Sequence, residues 1–196
     1  MKKLLLLIVT TFALSCCDND DKSSNQLPPM TQTGANTFGA IINGKVMIPR
    51  NSIGYIPPGS SHNPVLYTES DNWEEISASD RKATMGGIYI YIQNTEKKYP
   101  LKTGNYVLGD SNGALSNSFA ENTLITANVY DKNGKAKIYL SIANTGSITL
   151  TKSNDVIISG VFSCKLKSEN SLNDIIEIKE GRFDFNKNTI NSTDFK

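Results

Sequence analysis

The sequence predicts a mainly β domain built as an antiparallel β-sandwich, with a small antiparallel β-barrel as the alternative. Apolar residues alternate with a period of two along much of the chain, and no stretch shows the 3.6-residue repeat of an amphipathic helix. Turn-forming residues separate short strand-like runs at 123–130, 136–143, 147–152 and 155–166. Two sheets packed face to face would bury the apolar stripes of such strands.

Three turn motifs predict hairpins along the chain. The Asn-Gly pair at 43–44 is typical of a type I′ hairpin, because both residues accept a positive φ. A second Asn-Gly pair occurs at 133–134, and residues 144–146 form a third turn motif. We therefore expect an antiparallel meander joined by hairpins at these places.

Alternation also assigns side chains to the faces of the strands. Buried stripes are expected at Ile88, Ile90 and Ile92 and at Ile138, Leu140 and Ile142. Near the C-terminus the apolar residues change parity between Ile178 and Phe183. A β-bulge at Gly181 would restore the register, and glycine suits that position.

The first residues resemble the signal of a bacterial lipoprotein. Lys2 and Lys3 precede an apolar run at 4–14, which is about half the ~20 residues that a membrane-spanning helix needs. A small residue then precedes Cys16, as in the lipobox of these proteins. We expect Cys16 to be lipidated and to become the mature N-terminus, with Cys17 as the alternative.

The chain divides into three predicted parts. Residues 1–15 form the signal peptide, residues 16–35 the lipidated N-terminus and a flexible tether, and residues 36–196 a single β domain. The second part is poor in apolar residues and rich in polar ones, which is typical of an unstructured linker. Its acidic start at 18–21 resembles the surface-export signal of Bacteroidota lipoproteins. The expected location is the outer membrane, lipid-anchored and facing the cell exterior.

Charge and cysteine content limit the partners. The whole chain has a net charge of +1, which falls to about −1 once Lys2 and Lys3 are removed with the signal. Without a block of basic residues, no nucleic-acid partner is expected. Cys164 alternates with apolar neighbours and is expected to be a buried thiol. The expected partner is the membrane, reached through the lipid anchor, and a glycan or a surface protein is a further candidate partner.

Two pairs of short motifs carry a family resemblance. Thr-Phe-Gly at 37–39 precedes Asn-Gly-Lys at 43–45, and Ser-Gly-Val-Phe at 159–162 precedes Glu-Gly-Arg-Phe-Asp at 180–184. In this order they resemble an uncharacterised family of Bacteroidota outer-membrane lipoproteins, whose relatives often carry Trp where this chain has Met47. The resemblance implies a secreted, anchored β domain and no catalytic residues.

The residues that could support chemistry are few. His62 is the only histidine and lies in a serine-rich loop, so neither a catalytic triad nor a zinc site is expected. Phosphate-loop and dinucleotide motifs are absent, and no cofactor is expected. The acids available for glycan hydrolysis, of which no pair stands out, are Glu74, Glu75, Asp80 and Glu96.

Trp73, Tyr89 and Tyr91 are the candidate ligand-contact residues, because flat aromatic faces stack on glycans and peptides; ordinary packing would also explain them. The leading hypothesis is a non-enzymatic binding or scaffolding domain. The alternatives are a carbohydrate-binding accessory or weak glycan-active domain, and an envelope-structural protein that packs on a surface partner.

The predicted anchor can be tested by substitution. Cys16→Ala should abolish labelling by a radioactive fatty acid and release the protein into the soluble fraction, because no other acylated residue would remain. Cys17→Ala is the matched control and should leave labelling intact. Labelling that persists in Cys16→Ala but is lost in Cys17→Ala would move the lipid to Cys17.

Overall fold

A computed structural model describes residues 26–52, 63–82, 86–114, 120–131 and 133–195. In these ranges the chain forms antiparallel β structure and one short 3-10 turn, Ile190–Ser192, which confirms the predicted fold class. None of the described residues belongs to a helix long and apolar enough to cross a membrane. The strands are β1 (Thr37–Ile42), β2 (Lys45–Met47), β3 (Val65–Ser70), β4 (Trp73–Asp80), β5 (Gly86–Gln93), β6 (Gly104–Val107), β7 (Leu124–Tyr130), β8 (Ala136–Ser141), β9 (Ser147–Ser153), β10 (Ile157–Ser168) and β11 (Ser171–Asn186).

The strands form one strongly curled sheet, a half-barrel that is consistent with both predicted architectures. Its order is β2-β1-β11-β10-β8-β7-β5-β4-β3, and β6 joins through β9, which also pairs with β10. We call β3, β4, β5 and β7 the first wing, and β1, β9, β10 and β11 the second wing. Inward-facing residues of both wings pack into a single apolar core, so the outer faces of the two wings point away from each other.

Two of the three predicted hairpins are confirmed. Asn43 and Gly44 both have positive φ, 47° and 79°, in the tight turn between β1 and β2. The second turn motif connects β7 to its neighbour β8. The third prediction was wrong, because β8 and β9 do not pair with each other. Both strands pair with β10, β9 along its first half and β8 near its end. They therefore follow one another along the same edge of β10, and residues 142–146 connect them.

The bulge predicted at Gly181 is confirmed. The β10–β11 register shifts between Phe162, opposite Gly181, and Cys164, opposite Ile178. Glu180 takes the positive φ of 51°, while Gly181 provides space. A Cβ at Gly181 would lie 2.4 Å from the Phe162 ring, which packs in the core against the rings of β1 and β11.

On β8 the predicted buried stripe is only partly right. Tyr139 lies opposite Ala127 and belongs to the main core, whereas Ile138 lies on the outer face. The polar end of Tyr139 explains how it can face inward, since its hydroxyl reaches the surface and donates a hydrogen bond to the Asp174 carboxylate at 3.1 Å.

The folded unit begins before residue 36, which corrects the predicted end of the tether. Residues 27–35, here called the strap, lie across the outer face of the second wing. Leu27 and Pro28 cover Gly39, where an added Cβ would lie 2.7 Å from Pro28 Cδ. The Arg182 guanidinium donates a hydrogen bond to the Pro28 carbonyl oxygen at 3.3 Å. Polar composition therefore did not prevent this segment from ordering, because its backbone finds buried partners.

Asp184 is the main partner of the strap. Its almost fully buried carboxylate accepts hydrogen bonds from the hydroxyls of Thr31 (2.6 Å) and Ser159 (2.7 Å) and from the backbone N–H groups of Thr33 (3.0 Å), Gly34 (2.9 Å) and Ala35 (3.1 Å). Burial opposes ionisation of Asp184, but these donors outweigh it and hold its pKa at about 2, below the ordinary 3.8.

The chain after β11 covers the outer edge of β3. The Asn191 side chain accepts a hydrogen bond from the Tyr67 N–H and donates one to the Tyr67 carbonyl oxygen, both at 2.8 Å. One amide group thus replaces a neighbouring strand at this edge. Arg50 pairs with buried Asp80 at 2.6 Å and joins the segment after β2 to the end of β4.

Asp184→Ala should lower the free energy of unfolding by about 3 kcal/mol, because it leaves several buried donors without an acceptor. Urea unfolding at pH 7 measures this. Glu177→Ala, which breaks the exposed pair of this side chain with Lys179, is the control and should cost well under 1 kcal/mol.

The depressed pKa of Asp184 also sets a pH dependence. Its contribution to stability is full above the ordinary pKa of 3.8 and is lost as the pH falls towards about 2. The stability difference between wild type and Asp184→Asn should therefore shrink over this window. A difference that stays constant from pH 5 to pH 2 would contradict the proposed role of the carboxylate.

Candidate functional site

The three aromatic residues singled out by the sequence lie together on the outer face of the first wing. Trp73 on β4 and Tyr91 on β5 have ring centroids 6.4 Å apart. Tyr91 is only 4% exposed and packs with Leu124 and Ala114 in a small second core. Burial, followed by the nearby charge of Glu75, raises the pKa of Tyr91.

The three predicted ligand-contact residues differ in how exposed they are. Tyr91 packs inside the protein, so the packing interpretation holds for this residue. Trp73 and Tyr89 are partly buried and keep part of their surface exposed. The Tyr89 hydroxyl donates a hydrogen bond to the Glu75 carboxylate on β4, which holds the ring in a fixed position on the sheet. Tyr89 is therefore the best placed of the three to contact a ligand.

A groove of about 310 Å³ lies beside Tyr89 on this outer face. Gly87 contributes to its floor, where an added Cβ would lie 2.9 Å from the Ala78 carbonyl oxygen and 3.0 Å from Asn128 Oδ1. A side chain at this position would fill part of the groove and press on both neighbouring strands. Polar groups and one apolar side chain form the rest of the outer lining: Ser77, Ser79, Thr126, Asn128 and Ile138.

The groove presents uncharged chemistry to a ligand. Its hydroxyl and amide groups can donate and accept hydrogen bonds, and the Tyr89 ring offers a flat apolar surface. Such lining suits reversible binding of an uncharged, hydroxyl-rich or peptide-like ligand. Among the described residues, no group of three or more His, Cys, Asp or Glu side chains could hold a metal ion.

A second polar cluster, which we call the inner charge cluster, lies at the end of the core between β3, β4 and the chain after β11. The side chain of Lys187 is 3% exposed. Its Nζ donates hydrogen bonds to Glu69 Oε2 at 2.8 Å, to Glu74 Oε1 at 3.3 Å and to the Tyr99 hydroxyl oxygen at 3.2 Å. Nζ also lies 4.6 Å from the Tyr99 ring centroid and 5.5 Å from that of Tyr67.

The pKa values of the two carboxyl groups of the inner charge cluster shift in opposite directions. Burial raises the pKa of Glu74, and the attraction of Lys187 offsets this only in part. Burial acts on Glu69 as well, but hydrogen bonds from Lys187 and Tyr67 outweigh it and lower its pKa. Burial would lower the pKa of Lys187, yet the negative charges of Glu74 and Glu69 raise it. Lys187 therefore remains a cation.

The inner charge cluster is built to join parts of the fold. Glu74 is almost fully buried beneath Lys187, so a substrate could reach it only after the ion pair opens. Asp80, another of the acids that the sequence offers for glycan hydrolysis, is buried and forms an ion pair with Arg50. Glu75 accepts hydrogen bonds from Tyr89 and from Thr68. Three of the four acids that the sequence offers for glycan hydrolysis are thus held by ion pairs or hydrogen bonds within the protein.

Sequence reasoning missed the inner charge cluster. One signal was present, because Glu74 has the same parity as Ile76 and Ala78 on β4 and therefore faces inward with them. Its partner Lys187 lies 113 residues away, a distance that a local pattern does not bridge.

Three residues that the sequence discussed, Cys16, Cys17 and His62, lie outside the described residues. Cys164 is a buried free thiol, as expected. Burial raises its pKa to about 12, so it remains protonated and unreactive at neutral pH.

Comparisons of the chain with protein-family models, with curated proteins and with solved structures give no match.

Lys187→Met should destabilise the protein by about 3–5 kcal/mol, because it leaves two carboxylates in the cluster without their cation. Lys179→Met removes an exposed lysine paired with Glu177 at 2.9 Å and is the matched control, expected to cost less than about 1 kcal/mol. Chemical unfolding measures both. Adding Glu74→Gln to Lys187→Met should recover part of the loss, and an equal or larger loss would contradict the pairing.

Proposed function

We propose that this protein is a lipid-anchored domain of the outer membrane that binds a ligand in the groove beside Tyr89 and performs no catalysis on it. The observation that carries the proposal is the groove itself, a concave, glycine-floored surface on the outer face of an otherwise regular sheet. The lipobox-like sequence before Cys16 supports the anchor, and the acidic residues after it support display at the cell surface.

The chemistry around the groove favours binding over catalysis. Glu75, the carboxylate that is hydrogen-bonded to Tyr89, also accepts a hydrogen bond from Thr68. Hydroxyl and amide side chains without an activating base position a ligand but do not attack it. The groove therefore fits a recognition module.

Site-specific cross-linking in intact cells tests this proposal. A photoreactive amino acid at exposed Ser77, inside the groove, should form an adduct that is lost when Tyr89→Ala is added. The same photoreactive residue at exposed Asn173 on β11 is the control and should give no such adduct. Equal adducts from both positions, or none from Ser77, would contradict a binding role for the groove.

A carbohydrate is the second candidate at the same site, and one observation favours it. The Tyr89 ring lies next to the serine, threonine and asparagine side chains of the groove. The ring can stack on a sugar, and the polar side chains can form hydrogen bonds with the sugar hydroxyls.

Packing on a surface protein through a sheet edge has less support at β3. There the Asn191 side chain already binds the backbone N–H and carbonyl groups of Tyr67.

Native gel electrophoresis in gels that contain laminarin, xylan or mannan tests the carbohydrate candidate. The Cys16→Ser chain, made without lipid, should be retarded by at least one polysaccharide, and Tyr89→Ala should abolish the retardation because the stacking surface is lost. Ile175→Ala removes an exposed apolar side chain of β11, outside the groove lining, and should have no effect. Retardation that survives Tyr89→Ala would place sugar binding elsewhere.

A further inference from the structure

We propose that the outer face of the second wing, with the strap across it, lies against the membrane that holds the lipid anchor. The inference deepens the proposed function and rests on its anchor at Cys16. It assigns an orientation to the domain: the strap faces the lipid, and the groove beside Tyr89 faces away from it.

The chain between Cys16 and the strap is too short to pass around the domain. Nine residues lie between Cys16 and Gln26, where the described part of the chain begins, so ten Cα–Cα steps join the two. Fully extended, they reach at most about 35 Å. A folded unit of about 170 residues has a radius of roughly 20 Å, so the path from one side to the other is about 60 Å along its surface. The lipid can therefore lie only near the side from which the strap emerges.

Asp184 fixes the side of the domain from which the strap leaves. Its carboxylate binds Thr31, Thr33, Gly34 and Ala35, and the Lys152 ammonium donates a hydrogen bond to the Gln32 carbonyl oxygen at 2.7 Å. With Pro28 held by Arg182, the strap is bound to the second wing at several points along its length. The exit point of the chain is thus a fixed feature of the second wing.

The composition of this face fits a lipid surface. Met30, on the strap, is 69% exposed, the largest exposed fraction among the large hydrophobic side chains of the described residues. Val107, whose partner in the sheet is Ser147, is 53% exposed on the same face. The Lys152 ammonium and the Arg182 guanidinium, which also pairs with Glu180 at 3.1 Å, lie beside the strap on this face. Exposed apolar side chains beside cations favour the interface of a bilayer that contains anionic lipid.

Two shallow grooves of about 350 and 430 Å³ flank Met30 on this face. Small side chains of β9 and β10, including Thr149 and Val161, line them. They leave the Met30 side chain standing above the sheet, where it can enter the headgroup region while the sheet stays at the membrane surface.

The orientation also separates the two outer faces of the fold. Because both wings share one core, the first wing points away from the second. A membrane against the strap leaves the groove beside Tyr89 open to the aqueous side, where a ligand or a partner can reach it.

Fluorescence quenching in vesicles tests the orientation. The lipidated full chain, with Cys17→Ser, is placed on vesicles of phosphatidylethanolamine and phosphatidylglycerol that carry a nitroxide on the lipid headgroup. A fluorophore is attached at Met30→Cys or, for comparison, at Ser77→Cys in the groove. Cys164 is buried and should not react. We expect quenching at position 30 to exceed that at position 77 at least threefold.

Thr149→Cys provides a second label on the strap side should Met30→Cys disturb folding, and it should follow position 30. Equal quenching on both sides, or stronger quenching at position 77, in protein that floats with the vesicles would overturn the orientation alone. Protein that does not float would overturn the anchor and the orientation with it. Flotation thus distinguishes failure of the inference from failure of the proposed function.

Discussion

Two buried charges near the end of β11 hold together parts of the chain that the sheet alone leaves separate. Asp184 faces outward and binds the strap, whereas Lys187, an odd number of residues later, reaches the inner charge cluster. Asn191 then covers the edge of β3. A curled sheet that does not close by pairing its first and last strands needs such contacts, since an open edge exposes unpaired backbone groups.

This arrangement links stability to function. The strap that Asp184 holds is also the segment that leads towards Cys16, the proposed lipidation site, so under our proposal a contact that stabilises the fold also sets the side from which the anchor leaves. In the part of the chain that the structure describes, no strap crosses the first wing, and its outer face keeps the groove beside Tyr89 open. The proposed membrane attachment and the proposed ligand contact thus lie on opposite faces of one core.

The sequence predicted the parts of the fold that depend on local rules. The Asn43 turn follows from the φ preferences of two residues, and the Gly181 bulge follows from a change of parity along one strand. The inner charge cluster depends on partners over a hundred residues apart, which no local pattern contains. The polar composition of the strap predicts a tether, because composition does not reveal that one distant carboxylate binds its backbone. Tyr91 was a candidate for ligand contact because alternation identifies a face without showing what covers it.

Hydrogen exchange on a chain that ends at Asn186 tests most directly whether the residues after β11 close the fold. Removing Lys187, Ile190 and Asn191 together should greatly accelerate exchange of the backbone amides of β3 and β4, because their counter-charge, a buried core side chain and their edge partner are all lost. Exchange in β10 and β11, which pair along their length, should stay slow. Protection of β3 and β4 equal to that in the full chain would contradict the account.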